Sequence, residues 1–274
     1  MRFGLDTAQH QQTWAGLLER VRFAEDAGFD GAWLFDHFKA LYGDPRGPCL
    51  EGWTLLAGLA ASTTRIRLGT LVTGITYRHP SVLAAEALTV DHLSGGRLEL
   101  AVGAAWLEEE HRELGIPFPP ARERADRLEE GVQVLRLLMT EDRAMFDGAY
   151  YRLDGASLRP RPVQRPHVPM WIGGNGEHRT IPTAARHADA WHGWGSVEEL
   201  RRLNALLDRH AADAGRDPST ILRAADLSLS EPWDEVRSRL EGLRGIGVGY
   251  VVVGWPSEGQ ARIDAFVSDV MPSG

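Results

Sequence analysis

The chain has 274 residues, 43% of them apolar, which suits one large domain with a sizeable core; about 250 residues is a common size for an α/β barrel. Its formal net charge of −8 gives no bulk attraction for nucleic acid or an anionic membrane, and its one cysteine, Cys49, excludes an internal disulfide and fits a reducing compartment. No apolar run approaches the ~20 residues needed to span a bilayer, and the first residues lack the apolar core of a secretion signal, so the expected location is the cytoplasm.

In chain order, a short strand is predicted over residues 2–6, then a helix over about 13–27 that Gly28 is placed to end. A second strand covers 30–35. A polar loop over 36–50 leads into a helix over 51–63. β-Branched apolar runs at 66–72 and 98–102 flank an amphipathic helix over 80–93, so parallel strands joined by crossover helices are expected. Pro117, Pro119 and Pro120 break the chain before a long helix over about 122–139. Residues 146–166, with Tyr150-Tyr151 and several prolines, read as a hairpin and extended arm covering part of a barrel mouth. Strands follow at 168–172, 188–193, 221–229 and 248–254, separated by helices at 181–187, 197–214 and 233–243, with a last helix beyond. Eight strand–helix units in succession predict an α/β fold: a closed (β/α)8 TIM barrel, one domain over 1–274 with an insertion after strand four, rather than an open doubly wound sheet.

In such a barrel the C-terminal strand ends carry the chemistry. Strand two ends in Asp36-His37, a carboxylate and an imidazole that can orient a ligand and move a proton near neutral pH. Strand three ends in Leu71, Val72, Thr73 and Gly74. Gly74 permits a bend, Thr73 offers a hydroxyl, and Arg78 can hold a phosphate or carboxylate; the same stretch also reads as a helix start at Pro80. Strand four ends in Gly103 and Ala104, small enough for a planar ligand to approach the backbone, with Trp106 able to stack on it. Glu108, Glu109 and Glu110 read as a solvated helix start, and His111 follows them. Strand five ends in Gly173, Gly174, Asn175 and Gly176 ahead of a helix, where exposed amides can take an anion. Trp191, Trp194 and Trp255 serve equally as pocket lining or as barrel packing. No zinc spacing or GxSxG elbow is present, so no metal is expected.

Taken together, AEDAGFDGAWLFDHF (24–38), LGTLVTGITYRHP (68–80), LSGGRLELAVGAAWLEEEHRELGIPFP (93–119), RADRLEEGVQVLRLLM (124–139) and PVQRPHVPMWIGGNG (162–176) resemble the bacterial luciferase-like flavin/deazaflavin oxidoreductase superfamily, most of all its actinobacterial branch assigned to coenzyme F420. The resemblance implies His37 as acid/base and Asp36 orienting it or the redox ring. It further implies a bulge at Leu71 to Thr73 that often carries a non-prolyl cis peptide, Gly103 and Ala104 beside the ring, and Gly173 and Gly174 in a phosphate loop. Where some deazaflavin sugar-phosphate dehydrogenases have a catalytic Glu, this chain has Trp106. The implied activity is hydride transfer between F420 and a small-molecule substrate. The alternatives are a reduced-FMN monooxygenase and a non-catalytic flavin-binding barrel. A homodimer through the 51–63 and 80–93 helices is also implied.

Overall fold

In the computed structural model, which describes residues 1–271, short apolar strands alternate with helices around a barrel. The order is β1 (Arg2–Asp6), α1 (Trp14–Asp26), β2 (Gly31–Leu34), α2 (Gly52–Ser62), β3 (Arg67–Thr70), β4 (Thr73–Gly74), α3 (Pro80–Ser94), β5 (Leu100–Gly103), α4 (Glu108–Leu114) and α5 (Ala121–Thr140). There follow β6 (Ala144–Asp147), β7 (Arg152–Ala156), β8 (Met170–Gly173), α6 (Thr180–His187), β9 (Ala190–Gly193), α7 (Val197–Asp213), β10 (Leu222–Leu227), α8 (Trp233–Gly245), β11 (Tyr250–Val253) and α9 (Gln260–Asp269). Helix starts follow local chemistry. Thr13 Oγ1 caps α1 by accepting from the Gly16 amide, and the Glu51 carboxylate caps α2 by accepting from the Trp53 and Thr54 amides.

All strands of the main sheet are parallel, in the order β3-β2-β1-β11-β10-β9-β8-β5-β4. β3 and β4 are two halves of one barrel strand, interrupted at Leu71-Val72. Leu68 pairs with Leu98 ahead of β5, which closes the ring into eight strand positions. The predicted strand at 66–72 is therefore broken. Those at 188–193, 221–229 and 248–254 are shorter than expected, at Ala190–Gly193, Leu222–Leu227 and Tyr250–Val253.

Side chains alternate along each strand. Ala225, Leu227, Val251 and Val253 face the helices, whereas Ala224, Tyr250 and Val252 face the barrel axis. Three rings plug the lower interior. Trp33, Trp171 and Tyr250 meet edge-to-face with centroids 4.9–6.1 Å apart. Their polar atoms are satisfied: Trp33 Nε1 donates to Tyr250 Oη at 3.1 Å and Trp171 Nε1 to Glu99 Oε2 at 2.7 Å. Above this plug, at the C-terminal strand ends, the barrel opens into a cavity.

The 146–166 excursion does not cover the mouth. β6 and β7 form an antiparallel hairpin on the outside of α5, where Glu130 accepts from the amides of Ala149, Tyr150 and Tyr151. Tyr151 and Leu153 are buried there, and Tyr151 packs edge-on against His79. The arm then descends past α3. Asp91 Oδ2 accepts from the Val163 amide at 2.7 Å, and Gln164 bonds Arg67 and the Leu98 carbonyl near the N-terminal strand ends. Carboxylates that capture its free amides hold the arm to the helix layer. Among the described residues, no helix is long and apolar enough to cross a membrane.

Candidate active site

The strand ends enclose a cavity of about 810 Å³. On one side lie His37, Asp36, Leu71, Val72, Gly74, Gly103, Ala104 and Trp106; Gly173, Gly174, Asn175, Gly176 and Thr180 continue the wall. The peptide bond between Leu71 and Val72 is cis. The Val72 side chain lies between Gly103 and Gly173, where a Cβ on either glycine would come within 2.6 Å of it. Only glycine fits at those two positions, and the result is a smooth apolar floor. At Gly174 the φ of +138° and a would-be Cβ 2.8 Å from Thr180 again require glycine.

His37 is 7% exposed and its ring is held from behind. Nδ1 donates to Glu110 Oε2 at 2.9 Å, which leaves Nε2 for the cavity. The Tyr77 hydroxyl donates to the same oxygen, while the amides of Phe38 and Lys39 donate to Oε1 at 2.8 and 2.9 Å. Burial pushes the Glu110 carboxyl up. The hydrogen bonds from His37 and Tyr77, with the Phe38 amide, outweigh that and hold it at about 2. A permanent carboxylate thus fixes the tautomer and direction of His37, the arrangement a general acid/base needs.

Asp36 does not orient His37. Its oxygens accept two bonds from Arg78, at 2.7 and 3.0 Å, and one from the Gly74 amide at 3.1 Å. Burial raises its pKa, and the Arg78 guanidinium offsets part of the rise. Arg78 is consumed in this way and by Glu51 and Glu86, so it is not offered to a ligand phosphate. Two further expected residues stay away from the cavity. Thr73 is fully buried, bonding Thr70 and the Trp53 indole. His111 is fully buried too, with its nitrogens 2.6 Å from Thr76 Oγ1 and 2.8 Å from the Leu107 carbonyl, and its ring lies against Tyr77 and Phe118.

A family model described as "Luciferase-like monooxygenase" matches residues 1–248. The chain belongs to that family. Among relatives of this luciferase-like chain is an F420-dependent glucose-6-phosphate dehydrogenase from Kineococcus radiotolerans. It is 33% identical over 249 residues, covering 89% of this chain and 72% of the relative. Two solved structures share the fold. An F420-dependent secondary alcohol dehydrogenase in complex with an F420-acetone adduct matches with a TM-score of 0.88 at 20% identity over 98% of each chain. A monooxygenase from Streptomyces bottropensis matches with a TM-score of 0.80 at 22% identity, over 100% of this chain and 99% of that one.

Four cavity or support residues of this luciferase-like chain are absent from the sequence expectations. Glu110 belongs to the acidic run read as solvated, yet it is fully buried because α4 docks with that face on the loop after β2. Asp6, His192 and Asp226 line the rest of the wall, on β1, β9 and β10. The only sequence signal for them is their place at inward positions near strand ends. Of the three late tryptophans, Trp194 and Trp255 line the cavity. Trp191 is buried against the helices with its indole donating to the Gly174 carbonyl.

Proposed function

We propose that this protein is an F420-dependent oxidoreductase that moves a hydride between deazaflavin C5 and a small organic substrate, with His37 handling the proton. The observation that carries this reading is the buried imidazole whose Nδ1 is tied to Glu110 and whose Nε2 faces an apolar floor. The relative and neighbour that use F420 support the cofactor assignment. So does the fit: Val72 between Gly103 and Gly173 backs a flat ring, while the amides of Asn175 and Gly176 carry no internal hydrogen bond among the described residues and are free for a phosphate. When bound, the deazaflavin supplies the hydride acceptor or donor at C5. In the oxidative direction the substrate C–H gives up its hydride and the hydroxyl proton passes to His37 Nε2. Glu110 stabilises the imidazolium that forms. In the reductive direction His37 returns the proton. Trp106 and Trp194 stand at the mouth, where they limit water entry.

The test is titration of the purified protein with F420 and with FMN, followed by a substrate screen read as change in the visible absorbance of the deazaflavin. His37→Ala is expected to lose about 100- to 10,000-fold in turnover and to keep its cofactor affinity. Unchanged turnover in that variant removes His37 from the mechanism. A reduced-FMN monooxygenase is the second reading, because the matched family description is a monooxygenase and the same floor accepts either tricyclic ring. FMN preference with oxygen-dependent turnover would put it first. Binding without redox turnover of either ring would favour a non-catalytic barrel. We further read α2 and α3 as a homodimer face, since Val82 and Leu93 of α3 are exposed; light scattering of the purified chain tests this.

A further inference from the structure

Along the wall that runs from the strand of Gly173 round to the strand leading to His37, three polar side chains line the cavity: His192 on β9, in register with Gly173, Asp226 on β10, and Asp6 at the end of β1, which pairs with β2. Strand register places His192 beside Ala224, with Asp226 at the next inward position above. His192 is 5% exposed, and its Nε2 lies 2.9 Å from Asp226 Oδ1. With Nε2 donating to the Asp226 carboxylate, Nδ1 faces no partner: no group among the described residues bonds that nitrogen. Asp6 Oδ1 accepts from the Ala8 amide at 2.9 Å, and its Oδ2 has no partner among the described residues.

No cation nearby donates a hydrogen bond to the three side chains among the described residues, although Arg20 acts on Asp6 through its charge. The Arg20 guanidinium stacks on Trp255 at 4.3 Å, and Arg239 donates to the backbone carbonyls of Asp226 and Gly195. Burial pushes Asp6 up to about 7, opposed by the Ala8 amide and reinforced by the charge of Asp226. The wall thus offers acceptors and a negative charge that Arg20 offsets only in part, since burial still dominates at Asp6. It does not form a metal cluster: among the described residues, no group of three or more His, Cys, Asp or Glu side chains could hold an ion. Tyr42, Trp194 and Trp255 surround it with apolar surface.

We propose that Asp6, His192 and Asp226 form the polar anchor of the substrate subsite, selecting molecules that carry an ammonium or hydroxyl donor on an apolar body and disfavouring phosphates and carboxylates. This rests on the oxidoreductase reading, in which the Val72 floor takes the ring and leaves this wall to the substrate. A donor anchored at His192 and Asp226 would hold the reacting carbon toward His37. The same negative charge would repel a sugar phosphate, the substrate type named for the Kineococcus relative.

The probes are 2-phenylethylamine, 2-phenylethanol and phenylacetate, which share a body and differ in the head group. Calorimetric titration at pH 8 is run on the protein alone and on protein loaded with F420, with loading read separately by absorbance. The amine is expected to bind at least about tenfold more tightly than phenylacetate, with the alcohol between them. In Asp6→Asn/Asp226→Asn the amine is expected to fall to roughly the affinity of the alcohol. Equal affinities in the wild-type protein, no amine binding at millimolar concentration, or a preference kept in the double variant would each overturn the proposal. Loss of the preference on F420 loading would also overturn it, because the cofactor would then cover the wall. Failure to take up F420 while the preference persists would refute the F420 reading and leave the anchor standing.

Discussion

Replacing Glu110 by glutamine should reverse the direction of the hydrogen bond at His37. The carboxylate accepts four donors: His37 Nδ1, the Tyr77 hydroxyl, and the amides of Phe38 and Lys39. A glutamine has the same shape but only one oxygen acceptor. The two backbone amides cannot move, so they claim that oxygen, and the side-chain NH2 turns toward His37 and Tyr77. His37 must then accept at Nδ1 and carry its proton on Nε2. The atom facing the cavity becomes a donor, and the proton acceptor for oxidation is gone. Loss of one charge-assisted hydrogen bond is worth about 1.5–3 kcal/mol, which at 1.36 kcal/mol per tenfold is a drop in kcat of roughly 10- to 150-fold. F420 affinity should hold, since Glu110 does not line the cavity. Nitrogen chemical shifts of the His37 ring report the tautomer without any substrate. A Glu110→Gln protein that keeps its proton on Nδ1 and turns over at the wild-type rate would refute the reasoning.

Arg78→Met should destabilise the fold by about 3–5 kcal/mol, because Asp36 is 1% exposed and would keep a buried charge with only the Gly74 amide beside it. Thermal unfolding measures this, and an unchanged melting temperature would show that Asp36 is not held as a carboxylate. Asp6→Asn should alter the pH dependence of stability. The folded protein keeps the Asp6 proton up to about pH 7, whereas the unfolded chain releases it near 3.8. Wild-type stability therefore falls as pH rises between those values, and the variant escapes that loss. The shift corresponds to about 4 kcal/mol, so the variant should melt up to about 8–16 °C higher at about pH 8 and no higher at about pH 3. A constant difference across pH would contradict the assignment.

The barrel was legible because strand and helix periods alternate through the whole chain and each barrel strand except β10 has β-branched or aromatic residues to pack. The break within strand three, at Leu71-Val72, was expected only through the family resemblance, which implied a bulge at Leu71 to Thr73; no local pattern shows it, because it depends on how Val72 seats against Gly103 and Gly173, which lie far along the chain. The excursion was recognisable as irregular, but its location was set by Glu130 and Asp91, two acids that look like ordinary helix surface in sequence. Glu110 was hidden for the same reason. Three consecutive glutamates fan around a helix, and only docking decides which one is buried. Arg78 and His111 have the chemistry to bind a ligand, but nearer partners inside the fold satisfy them. Asp6, His192 and Asp226 are single polar residues on three different strands. Their meeting is a property of barrel closure and register, which no local pattern encodes.

A crystal structure of the protein grown with F420 tests the central claim most directly. The deazaflavin ring is expected against Val72, Gly103 and Gly173, with C5 on the side of His37 Nε2 and the phosphate on the amides of Asn175 and Gly176. Density for F420 anywhere else, or a ring lying against Asp6, His192 and Asp226 with His37 out of reach, would contradict that claim.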